Sequence, residues 1–164
     1  MASNLVPCTE WAVVRDELIE ELEAIGCLGR IHNRLRFDDK GNNERFKKLM
    51  QPQGSSKIRA ATIMRVSQTR AFHTNHELIV RTSIEIDFWY EMSDRDDSQA
   101  VFDQCIDDVL CHFQEPLRLD GCLIEILEPI QLSVEEHVQI AGELAHHATF
   151  TLIAQERVHQ PTFR

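Results

Sequence analysis

The chain has 164 residues, 43% of them hydrophobic and 27% charged, which is the composition of an ordinary folded domain that can bury its own core. Its 17 Lys and Arg against 27 Asp and Glu give a net charge of −10, which repels nucleic acid and argues against DNA binding by wrapping. We therefore expect a single domain over residues 1–164.

The N-terminus lacks a charged region followed by an apolar stretch, and no run approaches the roughly 18 apolar residues of a membrane span. We expect neither a standard secretion signal nor membrane insertion.

The five cysteines form an odd set without a C-x-x-C pair, unlike a disulfide framework or a zinc ribbon. They are Cys8, Cys27, Cys105, Cys111 and Cys122. We expect them to be reduced thiols in a cytosolic protein.

Residues 9–25 predict the first helix, because apolar residues recur every three or four positions and acidic residues fill the opposite face. The apolar stripe consists of Trp11, Val14, Leu18, Leu22 and Ile25. Gly26 can supply the left-handed residue that ends it. Such a short amphipathic helix is suited to lying on a sheet.

Residues 38–57 are rich in Gly, Asn, Pro and Ser, which predicts a mobile excursion, with a short helix over residues 44–50. This segment holds the concentrated basic residues Arg45, Lys47 and Lys48. Two interpretations stay open: a solvated loop with its own anchor residues, or a contact element for a neighbouring subunit.

Two strands are predicted over residues 58–72 and 78–92, with a hairpin connection between them. In the second strand, Ile84, Ile86, Phe88, Tyr90 and Met92 predict a buried face, and Glu85, Asp87, Trp89 and Glu91 an outward face. In the first strand, the alternation predicts an outward basic face with Arg59 and Arg65, extended by Arg70. Arginine to carboxylate pairs between the two strands are then expected. An outward Trp89 indicates either an interface or a side chain covered by a loop or the first helix.

Residues 98–113 predict a second amphipathic helix, residues 122–130 a strand, Glu135 and Glu136 a loop, and residues 141–158 a last long strand. This order predicts an α+β fold, with two amphipathic helices packed on one face of a mainly antiparallel sheet.

Motifs for chemistry are sparse: the six glycines form no phosphate-binding loop, dinucleotide fingerprint or nucleophile elbow. His146 and His147 are adjacent, so on a strand they point to opposite faces and cannot share one metal in the simple way. The acids around Asp96 and Asp97 fit a solvated helix start. We therefore expect no enzymatic activity, no cofactor and no metal.

Several segments together resemble one family of bacteriophage structural proteins. They are residues 29–32 after an amphipathic helix, residues 46–50, Ile58 and Arg59 opening a strand, the helix at 102–113, residues 129–132 and residues 142–147. The pattern is similar to tail terminator proteins of tailed phages and spans most of the chain. Lys47 and Lys48 stand where the family pattern has bulky apolar residues.

The resemblance implies a virion structural protein that assembles in the host cytoplasm into a homohexameric ring in the neck. The ring would cap the tail tube, contact the tube protein and the head connector or adaptor, and let DNA pass through its lumen without specific binding. Alternatives are a head completion or stopper protein, which would bind the portal or adaptor first, and a small cytosolic ligand-binding or hydrolytic domain.

A ring needs two different patches on each subunit, and the basic and acidic strand faces supply a candidate pair. The candidate subunit or partner interface is Arg45, Lys47, Lys48, Arg59, Arg65, Arg70, Glu85, Asp87, Trp89 and Glu91.

Overall fold

The computed structural model describes residues 9–33, 43–74, 77–119, 124–126 and 129–159. They form a mixed α+β fold with one antiparallel-rich sheet of seven strands and three α-helices. The elements are α1 Trp11–Ile25, β1 Arg30–His32, α2 Asn43–Leu49, β2 Arg59–Thr74, β3 Glu77–Glu91, a 3₁₀ turn at Asp94–Asp96, α3 Ser98–His112, β4 Leu117–Arg118, β5 Ile124–Ile126, β6 Gln131–Ile140 and β7 Glu143–His159. No helix among these residues is both long and apolar enough to cross a membrane.

The sheet is built around three long neighbouring strands, β2, β3 and β7, in the order β1-β2-β3-β7-β5-β4. β1 joins β2 in parallel over residues 30–32, and the other pairs are antiparallel. β5 and β6 lie one after the other along the same edge of β7, opposite residues 154–156 and 143–151. β3 and β7 therefore form the interior of the sheet.

One face of the sheet carries the main hydrophobic core and is called the core face below. Alternate residues of β3 and β7, including Ile84, Ile86, Phe88, Phe150 and Leu152, are fully buried there. The apolar stripes of α1 and α3 join the same cluster through Val14, Leu18, Leu22, Phe102, Ile106 and Val109. The period-two pattern predicted for β3 is thus confirmed at its centre, and Gly26 ends α1 with a left-handed φ of 78°.

The face assignment predicted for β2 is wrong. Arg59 pairs with Tyr90, and Arg65 with Ile84, so both arginines lie on the core face. Asp87 and Glu85 lie opposite Thr62 and Met64 instead, which rules out the expected pairs between these arginines and carboxylates. The alternation was ambiguous because residues 60–63 are all buried, and a strand covered on both sides has no polar face to read.

The loop predicted at Glu135 is also wrong, because β6 runs through it. β6 pairs with β7 but shifts register between Glu135 and Val138, where His137 has a φ of 66°. Such a bulge breaks the alternation that identifies a strand in sequence. Ala141 and Gly142, with φ of 52° and 83°, then form the two-residue connection to β7.

A second, smaller cluster lies on the opposite face of the sheet. Met50 and Ile58 are buried there with Ala60, and Phe46 and Trp89 pack against them. The short helix predicted at 44–50 is confirmed as α2, and the segment that follows it brings Met50 onto this face. Residues 38–42 of the predicted excursion lie outside the described residues.

The expectation of reduced thiols is wrong for one pair, because Cys27 and Cys105 form a disulfide. Their Cα atoms are 5.6 Å apart, within the range that a disulfide needs, although 78 residues separate them in sequence. The bond ties the end of α1 to the middle of α3. Cys111 is a free, exposed thiol, and Cys8 and Cys122 lie outside the described residues.

Candidate assembly surfaces

A histidine between two carboxylates forms the main polar cluster on the opposite face. His147 Nε2 lies 3.2 Å from Asp87 Oδ1, and His147 Nδ1 lies 3.3 Å from Glu135 Oε2. Thr149 donates a 2.8 Å hydrogen bond to the same Asp87 oxygen. The ring of His147 stacks on Trp89 with centroids 5.2 Å apart. Because these residues come from β3, β6 and β7, the cluster joins three strands.

The surroundings of His147 favour its charged form. Burial of the ring opposes protonation, but the hydrogen bonds and charges of Asp87 and Glu135 outweigh it and raise the pKa of His147 above 6.5. The protonated ring then donates from both nitrogens and compensates two carboxylates. This is a charge-balancing contact within the sheet, in which each ring nitrogen faces a carboxylate oxygen.

Lys47 of α2 forms a second ionic contact on this face. Its Nζ lies 2.5 Å from Glu143 and 3.6 Å from Glu91, and the hydrogen bond to Glu143 is the main reason why the pKa of Lys47 is raised. Glu91 also accepts a 3.0 Å hydrogen bond from the backbone N–H of Ile58. Lys47 therefore fastens α2 to the ends of β3 and β7.

Trp89 is half-buried on this face. Together with Phe46 it packs against the cluster of Met50, Ile58 and Ala60. Contact with the segment after α2 accounts for its buried part, and an interface role stays a prediction. Arg45 and Lys48, on the same helix, are exposed.

Two of the predicted interface arginines form contacts within the chain on the core face. Arg59 donates from Nε to the Cys27 carbonyl at 2.6 Å, and its guanidinium lies 5.8 Å from the centre of the Tyr90 ring. Arg65 lies 5.6 Å from the centre of the Trp11 ring. These contacts hold the first half of β2 against α1 and the residue segment that follows it.

Arg70 lies in the part of β2 that extends past the main core. Every residue from 65 to 74 is exposed, and Phe72 has 72% of its surface accessible. Arg70 donates a 3.1 Å hydrogen bond to Gln68, which in turn donates to Thr82. Because β3 pairs with β7 along this whole stretch, residues 65–74 of β2 form the outer edge of the described sheet here, called the arm below, and carry exposed apolar and basic side chains.

The predicted interface residues therefore divide into four groups. Glu85, Asp87, Trp89 and Glu91 lie on the opposite face with Lys47, Arg45 and Lys48 are exposed on α2, Arg59 and Arg65 line the core face, and Arg70 lies on the arm. The sequence reasoning missed His147, Glu135 and Glu143 as partners of these groups. Strand alternation indicated that His146 and His147 face apart, which is confirmed: His146 stacks on Phe102, and His147 on Trp89. These carboxylate and histidine partners could be identified only from the strand register.

An open cleft of about 670 Å³ lies between the end of α1, β1 and the segment after α2. Arg30 and Lys48 line it together with Glu23, so its charge is mixed. Among the described residues, no group of three or more His, Cys, Asp or Glu is arranged to hold a metal ion.

Comparison with known proteins adds no assignment. No family model matches the chain, and no curated protein is significantly similar to it. The likeness to tail terminators therefore rests on the sequence segments quoted above.

Proposed function

We propose that this protein is a structural component of a phage virion, a tail terminator that forms a ring between the tail tube and the head connector. In this proposal α1 and α3 cover the core face in a terminator-like arrangement, and the remaining surfaces contact neighbouring subunits and the tube end. The ring caps the tube, stops further addition of tube protein, and lets DNA pass.

The observation that best supports assembly is the exposed arm, residues 65–74 of β2. Phe72 is 72% exposed and Val66 is 53% exposed. Each therefore leaves apolar surface in water that a contact with another molecule would bury. Large exposed apolar side chains along an unpaired strand edge favour an interaction surface. Arg70 adds a positive charge to this arm on a chain whose net charge is −10, which favours contact with an acidic surface such as that of another copy.

The proposal is tested by measuring the solution mass of the purified protein over a concentration series by light scattering, with negative-stain images of the same fractions. Rings that bind the ends of isolated tail tubes and block their elongation are the expected result. Rings that bind the portal or adaptor and ignore tube ends would contradict the terminator assignment in favour of a stopper. The same mass measurement on Phe72→Ser, which replaces an exposed apolar side chain with a small polar one, shows whether the arm is needed for assembly.

A further inference from the structure

The sheet has two long edges that pair with no strand in the described part of the chain. β1 pairs with β2 only at residues 60–62, so residues 65–72 of β2 bond to β3 on one side alone. β6 pairs with β7 on one side alone over residues 131–140. Exposed strand edges present backbone N–H and C=O groups that can bond to another strand.

These two edges run in opposite directions. In the order β2-β3-β7-β6 each neighbouring pair is antiparallel, so β6 is antiparallel to β2. A rotation about an axis roughly parallel to the strands does not reverse them, so a second copy related by such a rotation has its strands in the same directions as the first. Its β2 would therefore meet β6 of the first copy as an antiparallel neighbour, the more stable pairing.

The charges on the two edges lie on different faces of the sheet. Arg65 and Arg70 of β2 lie on the core face, opposite Ile84 and Val80, whereas Glu135 of β6 lies on the opposite face beside His147. Pairing β2 with β2 would bring arginines together on one face, and pairing β6 with β6 would bring Glu135 side chains together on the other, both of which are destabilising. The unlike pair avoids both repulsions.

Exposed apolar side chains would meet on the same face of the joined sheet. Leu132 and Val134 pair with the buried Phe150 and Ala148, so they lie on the core face, yet they are 39% and 46% exposed. Phe72, 72% exposed, is opposite Leu78, in line with the core-face positions of β3. Continuing the sheet from copy to copy would cover all three.

We propose that β6 of one copy binds residues 65–72 of a second copy as an added antiparallel strand, which continues the sheet across the subunit boundary. The contact joins two different patches, so it propagates from copy to copy and closes into a ring when the rotation allows. Within one copy, residues 67–72 of β2 lie across the sheet from residues 153–158 of β7, whereas β6 lies beside residues 143–151. The two edges pair only if successive copies are displaced along the strands, and this displacement tilts the strands relative to the ring axis. The closure of this ring rests on the proposed function.

The test compares two substitutions at one position, Val134→Arg and Val134→Glu. Both remove the same exposed apolar side chain, but only arginine adds a charge of the same sign as the partner's arm, where Arg70 lies on the core face. We expect Val134→Arg to weaken association at least about tenfold relative to Val134→Glu, since like charges at a contact cost several kcal/mol. Adding Arg70→Glu to Val134→Arg should restore the mass.

Val101→Arg is the matched control, because Val101 is 41% exposed on α3 and lines a surface pocket that includes no residue of β6 or of residues 65–72. Thermal unfolding of each variant shows that the subunit is still folded. Hydrogen exchange supplies a readout without mutation: amides of β6 and residues 65–72 should gain protection together as the mass rises. If the wild type forms rings and both Val134 variants assemble equally well, the edge pairing is overturned and the proposed ring stands. If the wild type is a monomer at every concentration, both proposals are overturned.

Discussion

At the scale of single residues, His147 holds two carboxylates of different strands together. Its raised pKa means that the protonated form stabilises the fold fully below pH 6.5, and that this contribution is lost as pH rises through the folded-state pKa. Replacing His147 with glutamine should therefore cost about 1.5–3 kcal/mol near pH 6 and less near pH 9.

Urea unfolding of His147→Gln and the wild type across this pH range measures the effect, and His73→Gln, on the exposed arm, is the matched control. A difference in unfolding free energy that stays constant from pH 6 to 9 would contradict the charged bridge.

Gly29 illustrates a backbone constraint that local sequence does not reveal. It has a φ of 72°, and a Cβ there would lie 2.2 Å from the Arg59 carbonyl oxygen. Gly29→Ala should lower the unfolding free energy by more than about 2 kcal/mol. Gly54 has a similar φ of 80° with open space around it, so Gly54→Ala should cost only about 1–2 kcal/mol. Equal losses in the two variants would show that the close approach of β1 and β2 carries no cost.

At the scale of elements, α2 is held by one ionic contact and a small apolar cluster. Lys47→Met should lower stability by about 1 kcal/mol, because its partners Glu143 and Glu91 lose a partly buried cation. Its raised pKa keeps Lys47 charged at neutral pH. Lys48→Met, one residue along and exposed, is the matched control. Proteolysis near residues 50–57 should speed up for Lys47→Met alone, and equal cleavage of both variants would show that the contact does not anchor α2.

At the scale of the whole molecule, the Cys27–Cys105 disulfide lowers the conformational entropy of the unfolded chain. It joins residues 78 apart, so its reduction should lower the unfolding free energy by roughly 2–4 kcal/mol. Unfolding with and without a reductant measures this effect. The variant Cys27→Ser/Cys105→Ser should be as stable as the reduced wild type and insensitive to reductant. An identical wild-type transition under both conditions would show that the bond adds no stability.

The sequence by itself determined the elements whose pattern is regular. Helical periodicity located α1 and α3, and alternation located the β2–β3 hairpin and β7, because one buried face leaves a repeating apolar signal. These elements were sufficient for an α+β fold. They also indicated that His146 and His147 face apart.

Only the tertiary structure decided features that depend on contacts between distant residues. β2 is covered on both sides over residues 60–63, so its arginines could not be assigned to a face from alternation. The bulge in β6 concealed a strand, and with it the partner of His147 and the second open edge. The disulfide joins residues with no spacing signal. In each case the deciding quantity is strand register or packing, which a linear pattern does not encode.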